Sequence, residues 1–203
     1  MAERAPVFDK IIADYLRQVS MLADPAGIGE ILGVSIESGE YRIPFFHRHF
    51  VIGAGGITDG RSEVPAHASS VIVCKYLLLC PRQPDNDENL VTYKDFKDAA
   101  PYTIGFKNTA ERPIARHFEG RLEDLREQCL RLGGRPFQTQ VSCDLAFRFQ
   151  ALPRVPVYLL FNDADDDFAA QCTVLFRKNA ASYLDMECIA MVGATLAAWL
   201  QKN

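Results

Sequence analysis

The sequence predicts an α+β fold: an antiparallel β-sheet packed with helices, as a single domain over residues 1–203. Three observations carry this. Val141, Cys143, Leu145, Phe147 and Phe149 alternate with Ser142, Asp144, Ala146 and Arg148, the period-two signature of a half-buried strand. Val157–Phe161 and Cys172–Arg177 follow after connections too short for crossover helices, so the three strands pair antiparallel. Both ends of the chain carry the spacing of three and four that marks amphipathic helices.

Taken in order, Phe8, Ile11, Ile12, Tyr15, Val19 and Leu22 form the apolar stripe of a first helix, which Asp24-Pro25-Ala26-Gly27 stops. From Ile31 to Asp59 the texture is of short strands. Val34–Glu37 and Glu40–Phe45 flank Ser38-Gly39, a two-residue hairpin turn, and Phe50-Val51-Ile52 is a further strand. Pro65 sits in the first turn of a helix whose Val71, Ile72, Cys74, Leu77 and Leu78 are apolar on most faces, so that helix is central. Residues 81–87 form an exposed loop, and Val91–Asp98 an irregular segment holding Tyr93 and Phe96. A long helix is expected from Ala110 to Leu132, closed by Gly133-Gly134. The last helix buries Leu184, Cys188, Val192, Leu196 and Trp199, with Ser182 and Asp185 as its capping box.

Composition excludes several classes. Of 203 residues 48% are hydrophobic and 24% charged, proportions that rule out disordered, collagen-like and coiled-coil chains. A domain of this length buries roughly 70% of its unfolded surface and needs no staples. Net charge is −4, which gives no electrostatic reason to expect nucleic acid or an anionic membrane as partner. No apolar run reaches a membrane span. Met1-Ala2-Glu3-Arg4-Ala5-Pro6 lacks the apolar core of a signal peptide. The six cysteines at 74, 80, 129, 143, 172 and 188 are scattered, with no Cys-x-x-Cys pair. Cys143 and Cys172 fall on apolar strand faces and Cys74, Cys129 and Cys188 in helical patterns, as buried free thiols of a cytoplasmic protein would.

Four motifs invite a chemical reading. Gly27-Ile28-Gly29-Glu30-Ile31-Leu32-Gly33 has dinucleotide-fingerprint spacing but follows a helix and leads into a strand, the reverse of what phosphate binding at a helix N-terminus requires. Gly53-Ala54-Gly55-Gly56-Ile57-Thr58 follows a strand, yet Thr58 stands where the third glycine belongs. Asp163, Asp165 and Asp167 reproduce the spacing of the first calcium ligands of an EF-hand loop. Phe168 occupies the tight-turn glycine position and Val174 that of the bidentate glutamate, so a solvated acidic turn is the simpler reading. His47 and His49 would share one face if extended, the beginning of a metal site, and would lie on the surface if Phe46–Phe50 spans a hairpin turn, which is favoured. His67 and His117 sit in helices, and no nucleophile–base pair emerges.

The last third of the chain carries a resemblance. Leu152-Pro153-Arg154-Val155-Pro156-Val157, Phe161-Asn162-Asp163-Ala164-Asp165-Asp166-Asp167-Phe168, Val174-Leu175-Phe176 and Tyr183-Leu184 with Glu187 resemble the domain-of-unknown-function 3786 family. Tyr93-Lys94-Asp95-Phe96 and Tyr76-Leu77-Leu78 fit the same pattern, so the resemblance covers nearly the whole chain. It departs at Ala169, where the pattern usually has proline, and His47-Arg48-His49 falls in a more variable region. The resemblance implies a protein of anaerobic bacteria and archaea whose relatives sometimes carry an iron–sulfur module. This chain has no clustered cysteines to ligate one. The family has no assigned activity, so no catalytic residue and no cofactor carry over. Two readings follow. The first is a non-enzymatic cytoplasmic binding or accessory domain, serving anaerobic redox or cofactor metabolism. The second is a metal-dependent enzyme holding an ion on Asp163, Asp165 and Asp167 or on His47 and His49. Whether the partner is a protein or a small molecule, and the oligomeric state, stay open at this level.

Overall fold

A computed structural model describes residues 6–202 apart from Arg61 and Val64. Among the described residues the chain runs α1 (Pro6–Ser20), α2 (Pro25–Leu32), β1 (Ser35–Glu37), β2 (Glu40–Phe45), β3 (Arg48–Gly53), β4 (Gly56–Asp59) and α3 (His67–Leu78). After α3 come β5 (Leu90–Thr92), α4 (Thr103–Phe106), α5 (Arg112–Phe118), α6 (Leu122–Arg131), β6 (Arg135–Pro136), β7 (Leu145–Leu152), β8 (Val155–Asn162), β9 (Gln171–Arg177) and α7 (Met186–Leu200). Two antiparallel sheets result: β1-β2-β3-β4, and β5-β9-β8-β7-β6. The class is α+β, with two sheets where one was expected. No helix among the described residues is long and apolar enough to cross a membrane.

The larger sheet organises the core. Its register aligns Phe147 with Leu159 and Leu159 with Val174, and likewise Phe149, Val157 and Phe176. These residues share one face and all are buried. Each such apolar side chain contributes about 1.5–3 kcal/mol of transfer free energy. Against this face pack α5 on β9 and α6 on β7. The two sheets meet where β2 lies beside β7, tied by the Phe46 N–H donating to the Ala151 carbonyl at 2.9 Å.

Several expectations are corrected. Residues 25–32 form a helix rather than a loop leading to strands: Asp24 caps it through the Gly27 N–H, Pro25 opens it, and Gly33 closes it at φ +72°. Its C-terminal carbonyls are then held from afar. Arg154 donates from Nε to Ile31 and from a terminal guanidinium nitrogen to Glu30, while the Tyr76 hydroxyl donates to Leu32 and accepts from the Arg154 N–H. The strand begins at Leu145, not Val141, because pairing runs out: Asp144 reaches across with its carboxylate to the Asp163 N–H. Val141 is exposed and Cys143 lies outside any strand. The long helix is broken at Gly120, whose φ of +69° no helix accommodates, and begins earlier than Ala110. The central helix starts at His67, so Pro65 precedes it. Ser182 does not box α7: Asp185 alone caps it, at the Cys188 N–H, and Ser182 bonds Asp85 in the loop after α3. Along α1, Ile12 and Val19 are buried while Phe8 and Ile11 keep roughly 40% of their surface exposed.

The first hairpin is as expected. Ser38 and Gly39, both at positive φ, make the β1–β2 hairpin turn. All six cysteines are free; Cys74, Cys129, Cys172 and Cys188 are buried, Cys80 and Cys143 only partly so, and burial pushes the Cys74 thiol up to about 12.

Candidate functional site

The histidines of the sequence motif flank a tight turn. Phe46, at φ +52°, and His47 form the two-residue link between β2 and β3, and His49 of β3 pairs in register with Pro44 of β2. Both imidazoles are exposed. His47 packs edge-on against Trp199 of α7 at 5.3 Å between ring centroids, and the Arg48 guanidinium lies 5.0 Å from the same ring. A hollow of about 190 Å³ touches His47, Arg48, His49 and the buried Asp59. Asp59 accepts the Glu63 N–H and faces Arg48 at 3.8 Å.

The acidic motif links β8 to β9. Asp163 accepts N–H bonds from Gly120 at 2.7 Å and from Ala164 at 2.8 Å. Asp165 accepts from Asp167 at 2.9 Å and from Phe168 at 2.7 Å, and its own N–H donates to the Phe168 carbonyl. The carboxylates of Asp163 and Asp165 therefore shape the backbone, as aspartates in turns commonly do. Asp165, Asp166 and Asp167 are exposed. None of Asp163, Asp165 or Asp167 lines the hollow beside His47 and His49. Among the described residues no group of three or more His, Cys, Asp or Glu side chains is placed to hold a metal ion.

A different carboxylate is built into a cleft. The helical path through α4 and α5 widens to a π-turn over Lys107–Glu111, with the Arg112 N–H bonding back to the Lys107 carbonyl. Pro113 explains it: in a regular helix its ring would collide with the carbonyl four residues back, and an extra residue in the turn relieves that clash. The turn is pressed against α7 at Gly193, where a Cβ would stand 2.4 Å from the Phe106 ring and 3.2 Å from the Ala110 Cβ. Only glycine allows that approach.

The π-turn delivers Glu111 to the open edge of β9. Strand β5 pairs with β9 only as far as Leu175. The next edge donor, the Val174 N–H, is taken by the Glu111 carboxylate at 3.1 Å. Glu111 thus stands in for the missing strand, satisfying a ladder group that would otherwise lie open. That is its one side-chain hydrogen bond among the described residues. Burial pushes its carboxyl above the usual range, outweighing the lowering by the Val174 N–H, Lys107 and Lys94.

The same carboxylate lines a cleft of about 300 Å³, the lower end of the range for small-molecule sites. Lys94 and Lys107 flank it, Thr92, Thr103 and Thr173 supply hydroxyls, and Tyr93 and Phe106 form an aromatic wall. The two rings are stacked, 4.3 Å apart and 9° from parallel. Neither lysine forms an ion pair among the described residues. Two larger hollows, of about 390 and 830 Å³, lie by the N-termini of α7 and α2. There the caps, Asp185 and Asp24, are already bonded to backbone N–H groups, and Asp185 also to Lys75. The Glu111 cleft was not visible as a motif. Its one signal in the sequence is Pro113 in the first turns of a long helical pattern, just after a glutamate.

Comparison with known proteins finds the same family that the sequence resembles. A family model described as Domain of unknown function (DUF3786) matches residues 24–199. No curated protein and no solved structure matches the chain. Within the matched range several side chains latch the fold: Tyr76 and Arg154 hold α2, the Tyr93 hydroxyl donates to the Met186 carbonyl, and the Tyr183 hydroxyl donates to the Asp85 carbonyl. With the match running from the cap of α2 to the last turn of α7, the chain belongs to the DUF3786 family.

Proposed function

We propose that the protein is a cytoplasmic, non-enzymatic domain that binds a small molecule in the cleft beside β9, as an accessory to anaerobic redox or cofactor metabolism. One observation carries the site: a half-buried carboxylate with a single hydrogen bond lines a cleft walled by stacked aromatic rings and flanked by two lysines without ion pairs. Glu111 is half-buried with acceptor capacity left over, and Lys94 and Lys107 stand exposed at the cleft's rim, so a ligand entering the cleft meets a carboxylate inside and two ammonium groups at its mouth. The metabolic setting rests on the family's association with iron–sulfur modules, which is analogy. The metal-enzyme reading on Asp163, Asp165 and Asp167 or on His47 and His49 needs a third converging ligand, which no described residue supplies.

The test is a thermal-shift screen of small metabolites on wild-type protein and on Thr173→Trp, which fills the cleft. Ligands that raise the Tm of the wild type and lose that effect in the variant support the reading. Ligands that stabilise both proteins equally place binding elsewhere and overturn it.

A further inference from the structure

We infer that the groove between α2 and the open edge of β1 docks an extended, lysine- or arginine-bearing segment of a partner protein, which adds a fifth strand to the small sheet. This surface is separate from the cleft beside β9.

The edge is the first reason. β1 ends the small sheet and has a strand, β2, on one side only. The two-residue Ser38-Gly39 turn makes Glu37 and Glu40 a hydrogen-bonded pair, so Ile36, one residue back, turns its N–H and C=O away from β2. Outside the hairpin neither group has a backbone partner among the described residues. An outward N–H and C=O on one residue are what an added strand pairs with. Natural edges are commonly blunted by lysine or proline. Ser35-Ile36-Glu37 has neither, and its one charge, Glu37, is turned to Arg42 of β2 at 2.7 Å.

Space is the second reason. A hollow of about 830 Å³ lies along this edge, bounded by Ala26, Gly29 and Gly33 on one side and by Val34, Ser35 and Ile36 on the other. Gly29 lets β1 run close to α2: a Cβ there would stand 3.0 Å from the Val34 carbonyl and 3.2 Å from the Ile36 Cδ1. Neither glycine puts a side chain into the hollow, so a second backbone can approach. Charge is the third reason, and it selects the occupant. Asp24 and Glu30 line the hollow, and no lysine or arginine does. The Arg154 guanidinium is engaged by the Glu30 and Ile31 carbonyls. A second copy of this chain would bring another set of the same carboxylates to the interface. A basic segment meets them with opposite charge.

The experiment selects binders to the folded full chain from a phage-displayed library of random dodecapeptides and takes the most enriched sequence as a synthetic peptide. Binding is followed by calorimetry and mapped by backbone amide NMR shifts. Enriched sequences should alternate lysine or arginine with small or apolar residues, and the peptide should shift residues 25–37. Methylating alternate backbone nitrogens of the peptide should weaken binding about tenfold in one of the two phases and be tolerated in the other, since only alternate N–H groups face β1. Ile36→Pro removes the outward N–H and no ladder bond, and should weaken the peptide about tenfold. The methylated peptides make the same test on the unaltered chain, whether or not that variant folds. Glu30→Lys, a change at the exposed surface, should weaken binding about fivefold at low salt and less at high salt. Enrichment of acidic or uncharged sequences, no enrichment at all, shifts confined to other residues, or equal binding by both methylated peptides would each overturn the inference. A wild-type chain that sediments as a dimer, and as a monomer after Ile36→Pro, would put a second copy on this edge and overturn it as well.

Discussion

The acidic turn after β8 and the π-turn beside β9 stand at opposite extremes of charge. The first gathers four aspartates in five residues, the second presents a single glutamate. Yet two of those aspartates are already engaged by the backbone, and the other two stand in water. Asp163 and Asp165 between them accept four backbone N–H bonds from residues of their own loop and from Gly120. Glu111 accepts one and lines a cleft. Density of charge along a sequence therefore says little about a site. What matters is how much of each group's hydrogen-bonding capacity the nearby backbone already takes, and that depends on tertiary placement.

The comparison can be broken first at the packing that creates the π-turn's position. Gly193→Val should give the largest effect. Its branched side chain must displace a Phe106 ring that is itself stacked on Tyr93. Overpacking of this kind costs about 1–3 kcal/mol, and the upper end is expected because both partners are buried. Replacing a helix-interior glycine recovers less than about 1 kcal/mol. Denaturant titration should therefore show a net loss. A variant as stable as wild type would mean that the turn is not held from α7.

Glu111 itself should show a smaller and more diagnostic effect. Glu111→Ala leaves the Val174 N–H without a partner, a loss of about 1 kcal/mol where cleft water can partly replace it. Glu111→Gln keeps an acceptor and should lose less. The two proteins also differ in pH response. A carboxyl raised in the folded state adds stability that is fully present below its unfolded value and is lost as pH rises through its folded value. The depressed carboxylates Asp85, Asp95 and Asp185 act in the opposite sense, losing their contribution as pH falls. Subtracting the Glu111→Gln stability curve from the wild-type curve cancels those groups. The difference should favour wild type at acid pH and shrink as pH rises. A flat difference would place Glu111 at an ordinary carboxylate value.

Much of the fold was legible because it rests on local patterns. Period-two alternation marks Leu145, Phe147 and Phe149, and the Ser38-Gly39 turn is set by two residues at positive φ. Misreadings arose where a distant group decided. Helix α2 looks like a loop because Gly27, Gly29 and Pro25 are poor helix formers, and its C-terminus is held by Arg154 and Tyr76 from far along the chain. Alternation continues through Val141 and Cys143, but β7 begins only at Leu145, after the Asp144 side chain has bonded the Asp163 N–H. The Glu111 cleft combines segments near residues 93, 107 and 173, so no window of sequence contains it. The histidine turn was readable from its two-residue span. Its packing on Trp199 from the other end of the chain was not.

The smallest expected effects lie in the acidic turn, and they separate its aspartates from one another. Asp163→Ala removes the acceptor that holds Gly120 at the break between α5 and α6, and with it the Ala164 bond. A half-exposed acceptor of this kind contributes about 0.5–1 kcal/mol. Asp163→Asn keeps an acceptor oxygen and should recover most of that loss. Asp166 makes no side-chain hydrogen bond among the described residues, and its carboxylate stands in water beside three others. Asp166→Asn should leave the denaturant midpoint unchanged or slightly raised, since it removes like-charge repulsion and no bond. If Asp166→Asn destabilised the protein as much as Asp163→Ala does, and added calcium protected the wild type alone, the charges rather than the backbone bonds would be shaping this turn. The contrast with Glu111 would then collapse. Equal midpoints for wild type and Asp166→Asn, with and without calcium, keep it: the loop would be folded by two of its aspartates and merely hydrated at the others.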